Sequence, residues 1–183
     1  MLAYVVGVAL GDGNLSNPNG RATRLRITCN LRYKKLLKRI KTSIQKLLPY
    51  NRVSIVKRAR TYADISCYSN RWEEWLGWKA KNGPKYKQRI SIPGWIKNDR
   101  VLLIQCLRGL LETDGSLYRD RGYIMVGFVT IIPALAKDMM DGIQKLGFYA
   151  HGYKVNTAKN PRYNIRLSKN VQNFIRLIDL KKD

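Results

Sequence analysis

Acidic residues, histidine and cysteine are all scarce in this sequence. Its 183 residues include 12 Asp and Glu against 35 Lys and Arg, with one His and three Cys. The formal net charge of +23 suits a polyanion such as nucleic acid or an anionic membrane surface. It argues against an enzyme for cationic or neutral metabolites. A hydrophobic content of 45% still supports a packed core, so the chain is not a disordered polycation.

The few cysteines and the single histidine exclude several kinds of site. Cys29, Cys67 and Cys106 have no CxxC spacing and cannot all pair, which argues against a disulfide framework and a zinc knuckle. We expect small buried thiols in a reducing compartment, and therefore an intracellular protein. Because His151 is alone, a histidine zinc site and most histidine-based nuclease centres are also excluded.

Long hydrophobic runs are missing as well. The apolar segment Met1–Leu10 is too short to cross a bilayer and runs directly into Asp12. It has neither a basic region before it nor a small-residue cleavage site after it. We therefore predict neither a membrane span nor a signal peptide.

The most informative feature present is an internal duplication. Tyr4–Gly13 reads YVVGVALGDG and Leu107–Gly115 reads LRGLLETDG, and each apolar run ends in Asp-Gly. In both halves a period-two strand pattern follows, then an amphipathic helix pattern, two more strand patterns and a short helix. The order α-β-β-α-β-β-α, found twice, predicts an α+β fold built from two duplicated units.

The stretch between the halves is a predicted linker. Lys79–Arg100 is rich in Lys and Gly and contains two prolines. We therefore divide the chain into a first half at 1–78, a linker at 79–100 and a second half at 101–183. The IPGWI segment (Ile92–Ile96) should anchor the chain just before the second motif helix, for which Asp99 is the candidate N-cap.

The two motif helices are predicted to bury each other. Both are apolar around most of their circumference, and Gly7 and Gly109 stand at matching places in them. Glycine inside a helix costs about 1 kcal/mol relative to Ala, so we expect these two to permit a close backbone approach. Gly13 and Gly115 are predicted to end the helices in the left-handed conformation that is common just after a helix.

Asp12 and Asp114 then stand at the last helical positions, where a carboxylate faces the negative end of the helix dipole. This placement is unfavourable by roughly 0.3–1 kcal/mol per site. If the helices are parallel, two carboxylates and the terminal carbonyl groups converge, and the cluster should need a cation. Oxygen ligands without Cys or His favour Mg²⁺ or a similar ion over zinc. A single Asp-Gly normally marks only a turn, but its duplication favours a site.

Together, VVGVALGDG (Val5–Gly13) and LRGLLETDG (Leu107–Gly115) resemble the two motifs of a monomeric LAGLIDADG homing endonuclease. The resemblance extends over essentially the whole chain and includes the IPGWI linker. It implies a pseudo-twofold protein with the motif helices packed at its centre and two antiparallel, saddle-shaped sheets in the DNA major groove. It also implies site-specific cleavage of both strands across the minor groove. The sequence departs from the motif in two respects: Leu10 and Glu112 stand at its first acidic position, and Arg108 replaces a small residue.

The resemblance also implies a set of metal ligands. Asp12 and Asp114 would be the metal-binding acids, with the main-chain carbonyls of Gly11 and Thr113 as further ligands. Two or more Mg²⁺ ions would bridge the scissile phosphate, activate water and stabilise the leaving 3′-oxygen. We expect Mn²⁺ to substitute, and Ca²⁺ to bind without cleavage.

A basic side chain near the attacking water is a further expectation of the resemblance. The position after the last strand of each half supplies the candidates Lys169 and Arg71. The alternative for both is a residue at a helix start that touches phosphate or solvent.

Outward-facing positions on the predicted strands favour contact with DNA bases. Arg or Asn at such positions can form paired hydrogen bonds with guanine or adenine edges. In the second half Tyr123 and Met125 take equivalent places, which predicts apolar or water-mediated contact. The predicted DNA-contacting set is Arg24, Arg26, Thr28, Asn30, Arg52, Ser54, Arg58, Tyr123, Met125, Lys154, Asn156, Asn164, Arg166 and Ser168.

Two other functions stay open at this point. One is an RNA-binding intron maturase that does not cleave, with intron RNA as its partner. The other is a non-catalytic DNA-binding regulator, against which Asp12 and Asp114 argue, because a pure binder has no reason to keep an unfavourable acid pair. We predict a monomer that binds double-stranded DNA and no membrane.

Overall fold

The structure is a computed structural model that describes residues 1–18, 20–158 and 160–181. Each half has the predicted order of elements, and residues 182 and 183 of the predicted second half lie outside the described residues. The first half contains α1 (Leu2–Asp12), β1 (Gly13–Ser16), β2 (Arg24–Asn30), α2 (Lys34–Leu47), β3 (Val53–Lys57), β4 (Tyr62–Tyr68) and α3 (Trp72–Leu76). After α4 (Gly94–Lys97), the second half contains α5 (Arg100–Thr113), β5 (Gly115–Asp120), β6 (Tyr123–Thr130), α6 (Pro133–Lys145), β7 (Ala150–Val155), β8 (Arg162–Leu167) and α7 (Val171–Ile178).

The two halves contain equivalent four-stranded antiparallel sheets. The strand orders are β1-β2-β4-β3 and β5-β6-β8-β7. In each sheet the first strand begins directly after a motif helix, so that Gly13 pairs with Ile27 and Gly115 pairs with Phe128. The predicted α+β fold with duplicated units is therefore confirmed.

Alternation along the strands determines which face of each sheet is buried. In β2, Leu25, Ile27 and Cys29 are buried, while the residues between them are more accessible. Apolar residues of the amphipathic helix α2 belong to the same core cluster as these strand residues. The opposite, polar face of the sheet remains available for contact with a partner.

The motif helices α1 and α5 pack in parallel at the centre of the molecule. Every residue from Ala3 to Leu10 is buried. A Cβ atom added to Gly7 would come within 3.0 Å of the Leu110 backbone nitrogen, and one added to Gly109 within 2.8 Å of the Val8 nitrogen. Real side chains do not tolerate such approaches to backbone atoms, so both glycines have the predicted packing role.

The prediction of left-handed residues at the helix ends is wrong. Gly13 has φ −77° and ψ 148°, which is extended backbone, and Gly115 is not among the described glycines with positive φ. Glycine is required here for space, because a Cβ at Gly13 would lie 2.6 Å from Ala9 Cα, and one at Gly115 would lie 2.8 Å from Leu111 Cα. Each helix thus turns directly into a strand that folds back over its last turn.

The last part of the linker is bonded to the second half. Ile90, Ile92 and Ile96 are buried. The Ile92 backbone nitrogen donates a 2.7 Å hydrogen bond to the buried carboxylate of Asp138 in α6, and Lys97 donates to the same carboxylate at 2.9 Å. Asp99 caps α5 as predicted, by accepting a 2.9 Å hydrogen bond from the Leu102 nitrogen.

The cysteines and the hydrophobic segments bear on two of the expectations above. All three cysteines are buried and free, and burial raises the pKa of Cys67 to about 11. None of the helices in the described ranges is long and apolar enough to cross a membrane.

Candidate metal centre and nucleic-acid interface

The two motif aspartates meet where the parallel helices end. Asp12 is the last residue of α1, and Asp114 is the C-cap of α5. A Cβ on Gly11 would lie 3.3 Å from the carboxyl carbon of Asp114, so the Asp114 side chain reaches the end of α1. Both carboxylates also act on the ammonium group of Lys85. The predicted convergence of two acids at the midline is therefore present.

The ends of both helices add negative potential to this acid pair. Carbonyl groups in the last turn of a helix have no partner within the helix, and the dipole places partial negative charge there. The Thr113 hydroxyl donates back into its own helix, to the carbonyls of Gly109 at 3.1 Å and Leu110 at 3.0 Å. Oxygen atoms thus dominate the site, and they are the ligands that Mg²⁺, Mn²⁺ and Ca²⁺ accept.

Asp12 and Asp114 supply only two carboxylates, so a divalent ion would need further ligands. Within the described ranges, no three or more His, Cys, Asp or Glu side chains are grouped so that they alone could hold a metal ion. A divalent ion here would depend on Asp12, Asp114, backbone carbonyls such as those of Gly11 and Thr113, and oxygen atoms from outside the chain. Mg²⁺ commonly binds in this way, through one or two carboxylates together with substrate phosphate and water.

A lysine from the linker contacts these helix ends, and the sequence did not reveal it. Lys85 Nζ donates hydrogen bonds to the carbonyls of Ala9 at 3.2 Å and Leu10 at 2.8 Å, and also to that of Gly11. Burial lowers the pKa of Lys85 from its ordinary value, although the charges of Asp114 and Asp12 oppose this effect. Lys85 lies in a lysine-rich linker, and no local pattern distinguishes it from its neighbours.

The basic candidates Arg71 and Lys169 occupy other places. Arg71 is the exposed N-cap of α3, with its guanidinium carbon 5.7 Å from the centre of the Trp75 ring. It comes shortly after the last residue of β4. That end of β4 is level with Ser16, the residue of β1 that is farthest along the strand from Asp12. Lys169 is exposed in the turn after β8. A direct part for either residue in the chemistry stays a prediction.

The outward row predicted on the first sheet is present. Arg24, Arg26, Thr28 and Asn30 alternate with buried residues in β2. Ser54 of β3 lies in the same outward register, where its hydroxyl is 3.3 Å from that of Ser66. Arg52 and Arg58 flank β3 at its two ends.

A buried carboxylate in the middle of this polar face was missed. Asp64 of β4 pairs with Thr28 in register and accepts a 2.8 Å hydrogen bond from its hydroxyl and another from Arg58 Nε. Burial opposes ionisation of Asp64, but these hydrogen bonds outweigh it, and its pKa lies below the ordinary value. The outward positions of β4 could have been found by applying the same alternation to Tyr62–Tyr68.

On the second sheet, Tyr123 and Met125 differ in how accessible their side chains are. Tyr123 is 71% exposed, whereas Met125 is only 6% exposed, so the expectation of an accessible Met125 is wrong. Met125 does not belong to the main core, and its cross-strand partner is the large side chain of Tyr118. The Arg166 guanidinium carbon lies 6.0 Å from the centre of the Tyr118 ring. Large neighbours on the outward face thus cover Met125.

The predicted facing of β7 is also wrong. Lys154 pairs with Tyr163, whose ring packs against the core. Lys154 also lies on the same face of β7 as Gly152, where an added Cβ would be 3.1 Å from the Met140 methyl carbon of α6. Lys154 therefore lies on the helix-covered side of this edge strand, and Asn156 follows the strand's last residue. A shift of one residue exchanges the two faces of a strand. The outward residues are His151, Tyr153 and Val155.

The β8 candidates lie on the outward side. Asn164 and Arg166 alternate with the buried residues Ile165 and Leu167, and Ser168 follows as an exposed residue. Arg166 donates a 2.5 Å hydrogen bond to Asp120 of β5. The second face thus combines Arg162 and the ion-paired Arg166 with exposed aromatic rings, whereas the first face carries arginines and short polar side chains.

Comparisons with known proteins agree with this arrangement. The structure of I-DmoI in complex with DNA and Mn matches with a TM-score of 0.67 at 17% identity, covering 100% of this chain and 96% of that one. I-DmoI in complex with DNA and Ca matches with a TM-score of 0.62 at 18% identity, covering 96% and 85%. The N-terminal LAGLIDADG domain of DUF199/WhiA matches with a TM-score of 0.63 at 16% identity, covering 100% and 86%. A search of curated proteins found no significant match.

These matches define the class of the molecule as a single-chain LAGLIDADG fold with two motif helices. Residues 102–179 match the family model described as the LAGLIDADG-like domain. The second half of the chain therefore matches a LAGLIDADG-like domain, and the whole chain has the two-motif LAGLIDADG fold that its sequence predicted.

Proposed function

We propose that this chain is a site-specific DNA endonuclease that hydrolyses both strands of double-stranded DNA with divalent ions held by Asp12 and Asp114. The observation that carries the proposal is the meeting of these two acids at the ends of parallel helices, directly where a strand of each sheet begins. The similar protein I-DmoI, described as a homing endonuclease, has been crystallised with DNA. Recognition by a monomer, with each half contacting one part of a long site, follows from the duplication.

The residues of the centre fit a hard divalent ion. Asp12 and Asp114 would hold it, together with the backbone carbonyls of Gly11 and Thr113. When bound, such ions polarise the phosphodiester, lower the pKa of water and stabilise the leaving oxygen. I-DmoI has been studied with Mn, Ca and Mg. We propose Mg²⁺ as the natural ion, Mn²⁺ as a substitute and Ca²⁺ as an ion that binds without cleavage.

The polar faces of the two sheets would position the DNA over this centre. Arginine and lysine neutralise phosphate charge, and the net charge of +23 provides ample attraction. On the first face Arg24, Arg26 and Asn30 can read base edges through hydrogen bonds. On the second face Tyr123 and Tyr153 offer apolar contact, so we expect the two parts of the target to be read differently.

A second candidate is a DNA- or RNA-binding protein that does not cleave, such as a regulator or an intron maturase. One observation favours it: the Gly11 carbonyl that a metal ion would use accepts a hydrogen bond from Lys85. The acid pair thus already has a cation beside it. Cleavage therefore requires that a divalent ion enter this centre despite the lysine.

Selection of cleaved sites from a randomised DNA pool in Mg²⁺ distinguishes these functions, and the selected site then allows variants to be assayed. Asp12→Asn and Asp114→Asn should abolish cleavage while DNA binding in Ca²⁺ persists. Asp141→Asn, a matched change at an exposed α6 carboxylate that pairs with Lys137 at 2.5 Å, should cleave normally. Full cleavage by either motif variant would refute the metal assignment. Binding of wild type without cleavage in Mg²⁺ or Mn²⁺ would establish the second candidate.

A further inference from the structure

Lys85 uses all of its hydrogen-bonding capacity at one helix end. A lysine ammonium has three N–H donors, and Lys85 directs them to the carbonyls of Ala9, Leu10 and Gly11, which are consecutive in the last turn of α1. The charges of Asp114 and Asp12 both act on this ammonium. Carbonyl and carboxylate oxygens around it thus attract its positive charge, whereas burial opposes that charge.

The turn that carries Lys85 is held in place by a neighbouring side chain. The Gln88 amide donates to the carbonyls of Lys79 at 2.9 Å and Gly83 at 2.8 Å, and it accepts from the Lys79 nitrogen at 2.9 Å. The Lys87 nitrogen donates to the Pro84 carbonyl at 3.0 Å. These hydrogen bonds order the segment on both sides of Lys85. They therefore lower the entropic cost of fixing the long, flexible Lys85 side chain against the end of α1.

The oxygen atoms that Lys85 contacts overlap with those that a divalent ion needs. The Gly11 carbonyl is one of the ligands proposed for the metal, and the ammonium that lies against it occupies one side of this oxygen. Two cations at this end of the centre would also repel each other strongly. Lysine and metal are therefore alternatives at the α1 side of the acid pair.

We propose that Lys85 is a built-in counter-cation of the metal centre, which neutralises the acid pair in the metal-free chain and leaves the α1 carbonyls when a divalent ion binds. This inference rests on the proposed metal site. Because the ion must displace a hydrogen-bonded ammonium, the chain without DNA should bind divalent ions weakly. Removal of the ammonium should make ion binding tighter.

The test measures metal binding directly, without DNA and without cleavage. Lys85→Met removes the charge with little change in length, and Lys87→Met is the matched control, since Lys87 is an exposed lysine of the same linker turn. Mn²⁺ binding is followed by electron paramagnetic resonance of the free ion, and Ca²⁺ binding by calorimetry. Lys85→Met should bind both ions at least tenfold more tightly than wild type, and Lys87→Met should match wild type. Equal or weaker ion binding by Lys85→Met overturns the inference.

Thermal unfolding provides a second readout. In a chelator, Lys85→Met should melt at a lower temperature than wild type, because the acid pair has lost the attraction of the Lys85 ammonium. Addition of Ca²⁺ should raise the Tm of Lys85→Met by more than it raises the Tm of wild type. Lys85→Gln, which keeps a hydrogen-bond donor, is the second variant should the methionine chain fold poorly. If Ca²⁺ stabilises neither variant more than wild type, the lysine is not exchangeable with an ion and the inference is wrong.

Asp12→Asn in the same titration separates this inference from the proposed function. If wild type and Lys85→Met show no ion binding that Asp12→Asn removes, the proposed metal site itself is wrong and the inference falls with it. If ion binding depends on Asp12 but is the same with and without Lys85, the metal site stands and only the counter-cation role is refuted.

Discussion

The Tyr4 hydroxyl donates a 2.7 Å hydrogen bond to the buried carboxylate of Glu112, which joins the two motif helices across the pseudo-twofold axis. Glu112 also accepts a 2.9 Å hydrogen bond from Arg108 Nε and another from Arg39 of α2. Burial, and then the neighbouring Glu112, raises the pKa of Tyr4 far above its ordinary value, so the phenol stays protonated and donates. An acidic residue within the second motif thus holds helices together, while Asp114 serves the proposed metal centre.

Loss of the Glu112 carboxylate should destabilise the fold. Its side chain is fully buried, and Glu112→Ala would leave Arg39 and Arg108 without their shared partner. Removing one member of a buried ion pair typically costs about 3–5 kcal/mol. We expect the lower end of that range, because the two arginines are partly exposed and can regain water. Urea unfolding measures the change, with the exposed Glu74→Ala as control, and a loss no larger than that of the control would contradict this role.

The close approach of α1 and α5 predicts a large effect of a single methyl group. Gly7→Ala places a Cβ within 3.0 Å of the Leu110 nitrogen and nearer still to the Cys106 carbonyl. Overpacking costs about 1–3 kcal/mol, and backbone atoms cannot rotate away, so we expect a net loss near 2 kcal/mol despite the better helix propensity of Ala. Gly94→Ala, which meets no atom within 4 Å, is the control. Equal stability of the two variants in urea would show that the helices can separate at no cost.

The features that sequence predicted well are those that a repeated pattern determines. Duplication located both motif helices and both acids, and alternation gave the faces of β2, where Leu25, Ile27 and Cys29 are all apolar. In β7 only Ala150 is buried, so the strand has no apolar alternation from which its facing could be derived. Lys85 could not be predicted, because its contact with α1 depends on the path of a linker whose composition resembles a solvated loop.

Asp64 makes the stability of the first sheet depend on pH. Its pKa is lowered in the folded chain, so its contribution to stability is complete above the unfolded pKa of about 3.9 and is lost as pH falls through the folded value. Asp64→Asn should cost about 1.5–3 kcal/mol at neutral pH through weakened hydrogen bonds from Arg58 and Thr28. The difference from wild type in urea should shrink in acid. A difference that stays constant down to about pH 2 would mean that Asp64 titrates normally.

The charge of the chain predicts that DNA binding depends strongly on salt. If about 6–10 phosphates are neutralised, affinity should fall roughly 10³–10⁵-fold between 50 and 200 mM salt. Binding in Ca²⁺ at a series of salt concentrations measures the slope. Replacement of one lysine that contacts a phosphate should reduce the magnitude of the slope of log affinity against log salt concentration by about one. A complex that is insensitive to salt would indicate a partner other than nucleic acid.

The outward position of Arg26 predicts an effect on sequence preference. Arg26 lies in the middle of the first polar face, between Asn14 of β1 and Ser66 of β4, and its Nε is buried without a hydrogen-bond partner among the described residues. Arg26→Ala should relax discrimination at one base pair by about 1–3 kcal/mol. The exposed Lys38→Ala on α2 should lower affinity slightly and equally for all sequences. Binding in Ca²⁺ to single-base variants of the selected site measures both, and equal profiles for the two variants would mean that this face does not read bases.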